Sequence, residues 1–450
     1  HVVFPFLDVT DFASWGQVVE WAQPLYARDS SPTPLIDALV AKLRDSGETQ
    51  EAVAVAALAF VQKEIRYLGI EMGAGSHRPS PPEDVLRRRF GDCKDKTRLL
   101  VTLLERLHLR ASPALVNSSS GNLVPRRLPS PYVFDHVVVL ITFLGKDYLV
   151  DPTLSYQRGA TLEARHVGAY RSFLRIANGV SQIETTGYGS GDVSRTHVDE
   201  TFVVTDLNQP ATLKVVTRYE GRSAQSARAY FAQMSREQIT RVSLDFYHQY
   251  YPGITAARAW EMKDDEASGH LTFTEFFSIR DLFSASGKGG LLLAHLQPGT
   301  IWSRCRFPSF DQRRHPFALA YPTLVTQLIS LELPMAWPVE PTETTVTDPA
   351  FEISVKVSRP TPQTVLFSHS WQTRSDRVAT ERLPEFGRKI QEAQDQLGYV
   401  LTYNTALEEG APYVVNWLMV ALTVLWVAGG AFVVRRLKKK KNPAVSHEPP

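Results

Sequence analysis

Phe90-Gly91-Asp92-Cys93-Lys94-Asp95-Lys96, running directly into residues 97–109, is the stretch whose reading decides the fold. Leu99, Leu100, Leu103, Leu104 and Leu107 recur at helical spacing, so the pattern predicts a helix whose broad apolar stripe must be buried. That helix opens near Cys93. A thiol in a first helical turn lies at the positive end of the macrodipole, which lowers its pKa, and the unpaired N–H groups there suit a developing oxyanion. Gly91 allows the close backbone approach that such a turn needs. Lys94 and Lys96 either assist the thiolate or decorate a solvated helix face.

Acyl transfer through a thiol requires a thiolate, a base that makes it, and a group that holds the base in the productive tautomer. Two downstream residues can complete the set. His136 lies in an apolar strand predicted over 133–143, and Asp151 closes the next strand, 147–150, after a turn at Leu144-Gly145-Lys146. If Gly145-Lys146 is a two-residue turn, Asp151 falls opposite Leu140, on the face of His136 but four positions away. That is roughly 13 Å, too far for a hydrogen bond, so a bulge, a longer turn or strong twist has to close the gap. Taken singly, a cysteine before a helix is as readily a packing residue, and Asp151-Pro152-Thr153 is an ordinary turn.

Taken together, GDCKDK (91–96), FDHVVV (134–139) and YLVDPT (148–153) resemble the core of the transglutaminase-like superfamily. The resemblance extends over roughly residues 35–162 and takes in Arg66-Tyr67 and LLVTLLERLHLRASPALV (99–116). It implies a papain-like α+β fold, with helices packed on a small antiparallel sheet. It also implies Cys93 as nucleophile, His136 as base and then acid, and Asp151 as the group that orients His136. The backbone N–H of Cys93 is the oxyanion donor, with Tyr67 a candidate second. DFASWGQVVEWAQPLY (11–26) before the core and a β-rich region behind it look like bacterial envelope proteins in which a further β domain precedes the core. The superfamily includes cross-linking enzymes, peptidases and amidases, and members without activity, and nothing in the chain selects water over an amine as acyl acceptor.

The rest of the chain sets the frame. Residues 1–30 read as a linker or the remnant of an upstream domain, with an amphipathic helix capped at Thr10-Asp11 and stopped near Pro24. The core occupies 31–175, and Ser80-Pro81 with Glu83 resembles a capping box opening a short helix. From 190 to 400 the chain is mainly β, around a helical stretch at 223–250 and closed by a helix over 381–397. Residues 413–434 carry no charge and are long enough to cross a hydrocarbon layer of about 30 Å. The basic tail 435–450, which begins with Arg435 and Arg436, should stay cytoplasmic, with the large N-terminal portion extracytoplasmic, periplasmic in a bacterium.

Composition excludes several classes. With 49 basic against 47 acidic residues and a net charge of +2, the chain offers no electrostatic case for binding nucleic acid. Its two cysteines, Cys93 and Cys305, allow at most one disulfide. The 12 histidines form no HExxH or close pair, and there is no CxxC, P-loop or dinucleotide fingerprint, so neither a metal nor a cofactor is expected. The expected partner is a protein or peptide substrate, and nothing fixes the oligomeric state. Two functions follow: amide-bond chemistry through a thioester on Cys93, by a peptidase, amidase or amine-directed acyl transferase, or a catalytically inactive module that binds a peptide, glycan or partner protein in the envelope.

Overall fold

The computed structural model describes residues 7–27, 33–69, 73–286, 290–307, 313–405 and 411–416 of the 450. Helix α1 (Trp15–Tyr26) starts later than expected, because Ser14 rather than Thr10 caps it by accepting from the Gln17 N–H. Pro24 lies inside α1 instead of ending it. Val18 and Val19 of α1 pack on Leu174, so the segment expected to be a linker contributes to the folded core.

Helices α2 (Pro34–Arg44) and α3 (Gln50–Glu64), strand β1 (Arg66–Tyr67), helix α4 (Pro82–Arg88), strand β2 (Phe90–Gly91) and helix α5 (Cys93–Arg106) follow. β1 and β2 form a short parallel pair immediately before Cys93. The expected capping box at α4 is absent. Its Glu83 instead accepts from the Leu35 and Ile36 N–H groups at 3.0 and 3.2 Å, capping α2 from a distance.

Strands β3 (Arg110–Val116), β4 (His136–Phe143) and β5 (Lys146–Val150), helix α6 (Leu162–Arg165), and strands β6 (Ser172–Arg175) and β7 (Glu184–Thr185) complete this half. The strands form one antiparallel sheet ordered β5-β4-β3-β6-β7. The leucine stripe of α5, with Leu99, Leu100, Leu103 and Leu104 fully buried, packs against Ile36, Leu58 and Val61 and against Val139 and Ile141 of the sheet. Each such side chain contributes roughly 1.5–3 kcal/mol on burial, which makes α5 the element that ties helices to sheet. The opposite face is covered by a smaller cluster that includes Val138, Leu140 and Phe173.

The β4–β5 hairpin turns one residue earlier than the sequence suggested. Leu144 and Gly145 both have positive φ, 48° and 79°, the backbone of a two-residue turn whose twist matches that of the strands. Phe143 therefore pairs with Lys146 and Val139 with Val150. One further step puts Asp151 opposite Val138, two positions from His136 rather than four, a distance of about 7 Å along the strand that side chains can span.

The remaining chain has its own core. Strands β8 (Ser194–Val203) and β9 (Ala211–Gly221) precede helices α7 (Arg222–Phe231) and α8 (Arg236–His248), strands β10 (Ile254–Asp264) and β11 (Leu271–Ile279), and helix α9 (Gly299–Arg304). The helical stretch expected over 223–250 is made of two helices, divided where Ser235 forms a capping box with Gln238. An eight-stranded sheet runs β10-β11-β9-β8 and then continues through Thr323–Glu332, Thr364–Thr373, Phe351–Thr361 and Thr342–Asp348. Only the pairing of β8 with Thr323–Glu332 is parallel in it.

A separate four-stranded sheet ends with Tyr399–Asn404 and Ala411–Asn416, so β structure continues past residue 400. Residues 411–416, expected as a link and the start of a membrane helix, are therefore in a strand. The rest of that expected span, 417–434, and the basic tail lie outside the described residues, as do residues 1–6. Among the described residues no helix is long and apolar enough to cross a membrane.

Two backbone hydrogen bonds join the halves next to the segment that follows Asp151: the Gly159 and Ala160 N–H groups donate to the carbonyls of Glu266 and Ala267, each at 3.1 Å.

Candidate active site

Asp92 caps α5. Its Oδ1 accepts from the N–H groups of Lys94 and Asp95, both at 3.1 Å, and Asp95 reaches back to the Asp92 N–H in a reciprocal capping box. Asp95 is itself braced by the Ser80 N–H at 2.7 Å and the Arg88 guanidinium at 2.6 Å. A Cβ on residue 91 would come within 2.6 Å of the Asp95 Cβ, which is why glycine stands there. Because the cap consumes the Lys94 and Asp95 donors, the Cys93 N–H is the first-turn donor it leaves unengaged.

Cys93 is 6% exposed at the first position of α5. Both cysteines are free, and Cys305 is buried in the other core, so the disulfide allowed by the sequence does not form. Burial pushes the Cys305 thiol up to about 12, which leaves it inert.

His136 begins β4, and its Nε2 lies 3.0 Å from Asp151 Oδ2. Burial opposes charge on this ring, but hydrogen bonding and charge from Asp151 and Cys93 outweigh it and raise its pKa to about 10. With Nε2 committed to Asp151, Nδ1 is the nitrogen left for the thiol. The Thr97 hydroxyl donates to the Val137 carbonyl at 3.0 Å, fastening the first turns of α5 to the start of β4 and so Cys93 to His136.

Asp151 is 1% exposed and its carboxylate is fully engaged. Oδ1 accepts from the Thr153 N–H and hydroxyl, both at 2.7 Å, while Oδ2 accepts from the Tyr170 hydroxyl at 2.5 Å and faces His136. Desolvation pushes its pKa up, but His136, Tyr170 and Thr153 more than offset that, and the net shift is downward. Its backbone carbonyl accepts from Gln62 at 2.8 Å, and Gln62 is held in turn by Arg165 at 2.8 Å. The segment carrying Asp151 is thereby tied to α3 and α6.

The three candidate residues are thus gathered at one end of the small sheet. Lys94 and Lys96 are buried, not solvated: Lys94 pairs with Asp92, and Lys96 Nζ donates to the Ile65 carbonyl at 2.7 Å. Burial lowers the Lys96 pKa to about 8, against the pull of the Asp151 charge. Tyr170, Gln62 and Arg165 carried no signal in the sequence. Thr153 did: Asp-x-Thr is the pattern of an aspartate that folds back on the backbone two residues on.

A cleft of about 360 Å³ opens at Cys93 and His136, with Trp21, Tyr26, His77 and Tyr132 in its walls. The His77 ring stands edge-on between Trp21, at 5.2 Å, and Tyr132, at 5.9 Å. Tyr67, the candidate second oxyanion donor, lies on β1 and is about half exposed at 47%.

The buried pair has a defined pH signature. His136 has a raised pKa, so its stabilisation is complete below its ordinary value of about 6.5 and is lost as pH climbs through about 10. Asp151 has a depressed pKa, so its share holds above its ordinary value of about 3.9 and is lost as pH falls through the lowered one. The melting-temperature gap between wild type and His136→Gln is therefore expected to be widest near pH 5–6 and to narrow towards pH 10. Thermal scans of both proteins across that range check this, and a gap that widens with pH would overturn it.

No protein-family model matches the sequence, and no curated protein does. Among solved structures, the chain is similar to a candidate protease from Parabacteroides distasonis, at a TM-score of 0.51 and 11% identity, over 86% of this chain and 59% of that one. It thus shares that protein's overall fold while spanning under two thirds of its length. A candidate cysteine protease from Cytophaga hutchinsonii also matches, at a TM-score of 0.23 and 16% identity, over 37% of this chain and 51% of that one.

Proposed function

We propose that this protein is a cysteine-dependent, transglutaminase-like enzyme that cleaves or transfers amide bonds of a protein or peptide. The observation that carries the reading is His136, held by Asp151 at 3.0 Å and facing Cys93 at a helix start on an open cleft. His136, facing Cys93, is placed to take the proton of its thiol. The Cys93 sulfur attacks the amide carbonyl carbon, and the resulting oxyanion accepts from the Cys93 N–H. His136 then gives its proton to the leaving nitrogen as the C–N bond breaks, leaving a thioester. Water or an amine attacks that thioester while His136 takes the proton back, and the thiolate leaves.

The charge-free run 417–434, followed by RRLKKKK, supports anchoring with the enzyme outside the cytoplasm, since about 1.5 Å per residue over that run gives roughly 27 Å.

Iodoacetamide tests the nucleophile without knowledge of the substrate. Cys93 is expected to alkylate at pH 6–7 on the order of 10-fold faster than a model thiol of pKa about 8.5, and His136→Ala to remove that advantage. Peptide mapping by mass spectrometry reads both rates. A Cys93 no faster than the model thiol would favour a non-catalytic binding module instead.

A further inference from the structure

A cavity of about 640 Å³, larger than the cleft at Cys93, lies between the eight-stranded sheet and helices α7 and α8. This is the size of a small-molecule pocket. Phe231 of α7, Phe246 of α8 and Phe273 of β11 give it an aromatic lining, and Glu275 of β11 lies among them. Phe273 and Glu275 are buried and alternate along β11 with only partly buried residues, so both lie on its inward face.

Glu275 is only 7% exposed. Ser243 hydrogen-bonds to it, yet its Oε1 has no partner among the described residues. A buried carboxylate oxygen left without a donor is costly, and Glu275 is among the residues that line the cavity. The surroundings add negative charge. Glu200 of β8 stands in register with Glu275 across Val215 of β9, is buried, and is held by the Tyr247 hydroxyl at 2.8 Å. Burial pushes Glu275 and Glu200 up to about 7, so both are poised to ionise beside a cation. The other polar residues lining the cavity are serines, threonines and tyrosines, which bear hydroxyls, and Arg304 of α9. The charge of Arg304 acts on Tyr219.

We propose that this cavity binds a small organic amine, its ammonium group donating to the Glu275 carboxylate and its apolar body lying among Phe231, Phe246 and Phe273. Aromatic faces favour the same charge that the carboxylate selects. The site is independent of the Cys93 chemistry.

Calorimetric titration of the full chain with phenethylamine, and with 2-phenylethanol and phenylacetate as neutral and anionic counterparts, tests it. Phenethylamine is expected to bind at least about tenfold more tightly than 2-phenylethanol, a difference of about 1.4 kcal/mol, with phenylacetate the weakest. Glu275→Gln should fold, since it removes an uncompensated buried charge, and should erase that preference. Glu200→Gln, at a residue that is not among those lining the cavity, should change amine affinity by less than about threefold. Val242→Trp, which fills the cavity from a position on α8 that is 41% exposed, should block the amine in a protein whose sheet is untouched. The proposal falls if phenethylamine shows no binding at millimolar concentration, if the three compounds bind alike, or if Glu275→Gln leaves the preference in place.

Discussion

Cys93→Ala is expected to reduce turnover by on the order of 10⁶-fold, to the level that binding and the remaining helix-start donor can sustain. No neighbouring group can substitute, since the other cysteine is buried in a different core. The fold should survive. Alanine is a good helix former, the cap is made by Asp92 and Asp95 rather than by the thiol, and loss of one small buried group costs about 1 kcal/mol. Peptide-amide turnover measured beside the melting temperature separates the two effects, and intact-mass spectrometry of wild type after brief exposure to substrate should show the acyl adduct on Cys93. A variant that folds normally and keeps more than a few per cent of wild-type turnover would remove Cys93 from the mechanism.

Asp151→Asn is the second large effect. The carboxylate accepts on both oxygens, from Thr153 on one side and from Tyr170 and His136 on the other. An amide has one acceptor and one donor end, so whichever way it is turned, its NH₂ meets donors. If the NH₂ faces Thr153, the Thr153 N–H is left unpaired in a site that is 1% exposed while the hydroxyl turns to accept; if it faces His136, the ring is driven to the wrong tautomer. Turnover is expected to fall by about 10⁴-fold with KM little changed, and stability by roughly 1–3 kcal/mol. Tyr170→Phe, which removes one donor and leaves the carboxylate, should cost only about tenfold in turnover. Activity profiles of the two variants across pH 5–10 distinguish an orienting carboxylate from a merely structural one: a structural role would lower stability without moving kcat.

What could be read from the sequence was what periodicity and short motifs encode. The leucine spacing of α5 predicts its buried face, and the apolar runs predict β4 and β5, because those patterns follow from one face being packed. The hairpin register was misjudged by one residue because Leu144 adopts a left-handed backbone that a bulky residue rarely takes. That single step decides whether Asp151 reaches His136. The depth of Lys94 and Lys96 was illegible for another reason: a lysine is read as exposed unless its partner is known, and the partners here are Asp92, two residues away, and the carbonyl of Ile65 on another element. Glu83 was assigned to its own helix when it serves α2, a choice local spacing cannot make. Tyr170 reaches Asp151 only through the folded path of the chain after α6.

The loop after Asp151 is gripped at Gly159 from both sides. Its N–H donates to Glu266 of the β10–β11 hairpin, and its carbonyl accepts from the buried Arg165 at 2.8 Å, the same arginine that holds Gln62 under Asp151. Asp151, the candidate orienting residue, is therefore followed by a loop fastened to both halves of the chain. Lifted onto another scaffold, residues 31–175 would keep Cys93, His136 and the side chains that hold Asp151, but would lose the backbone clamp on the loop that follows it.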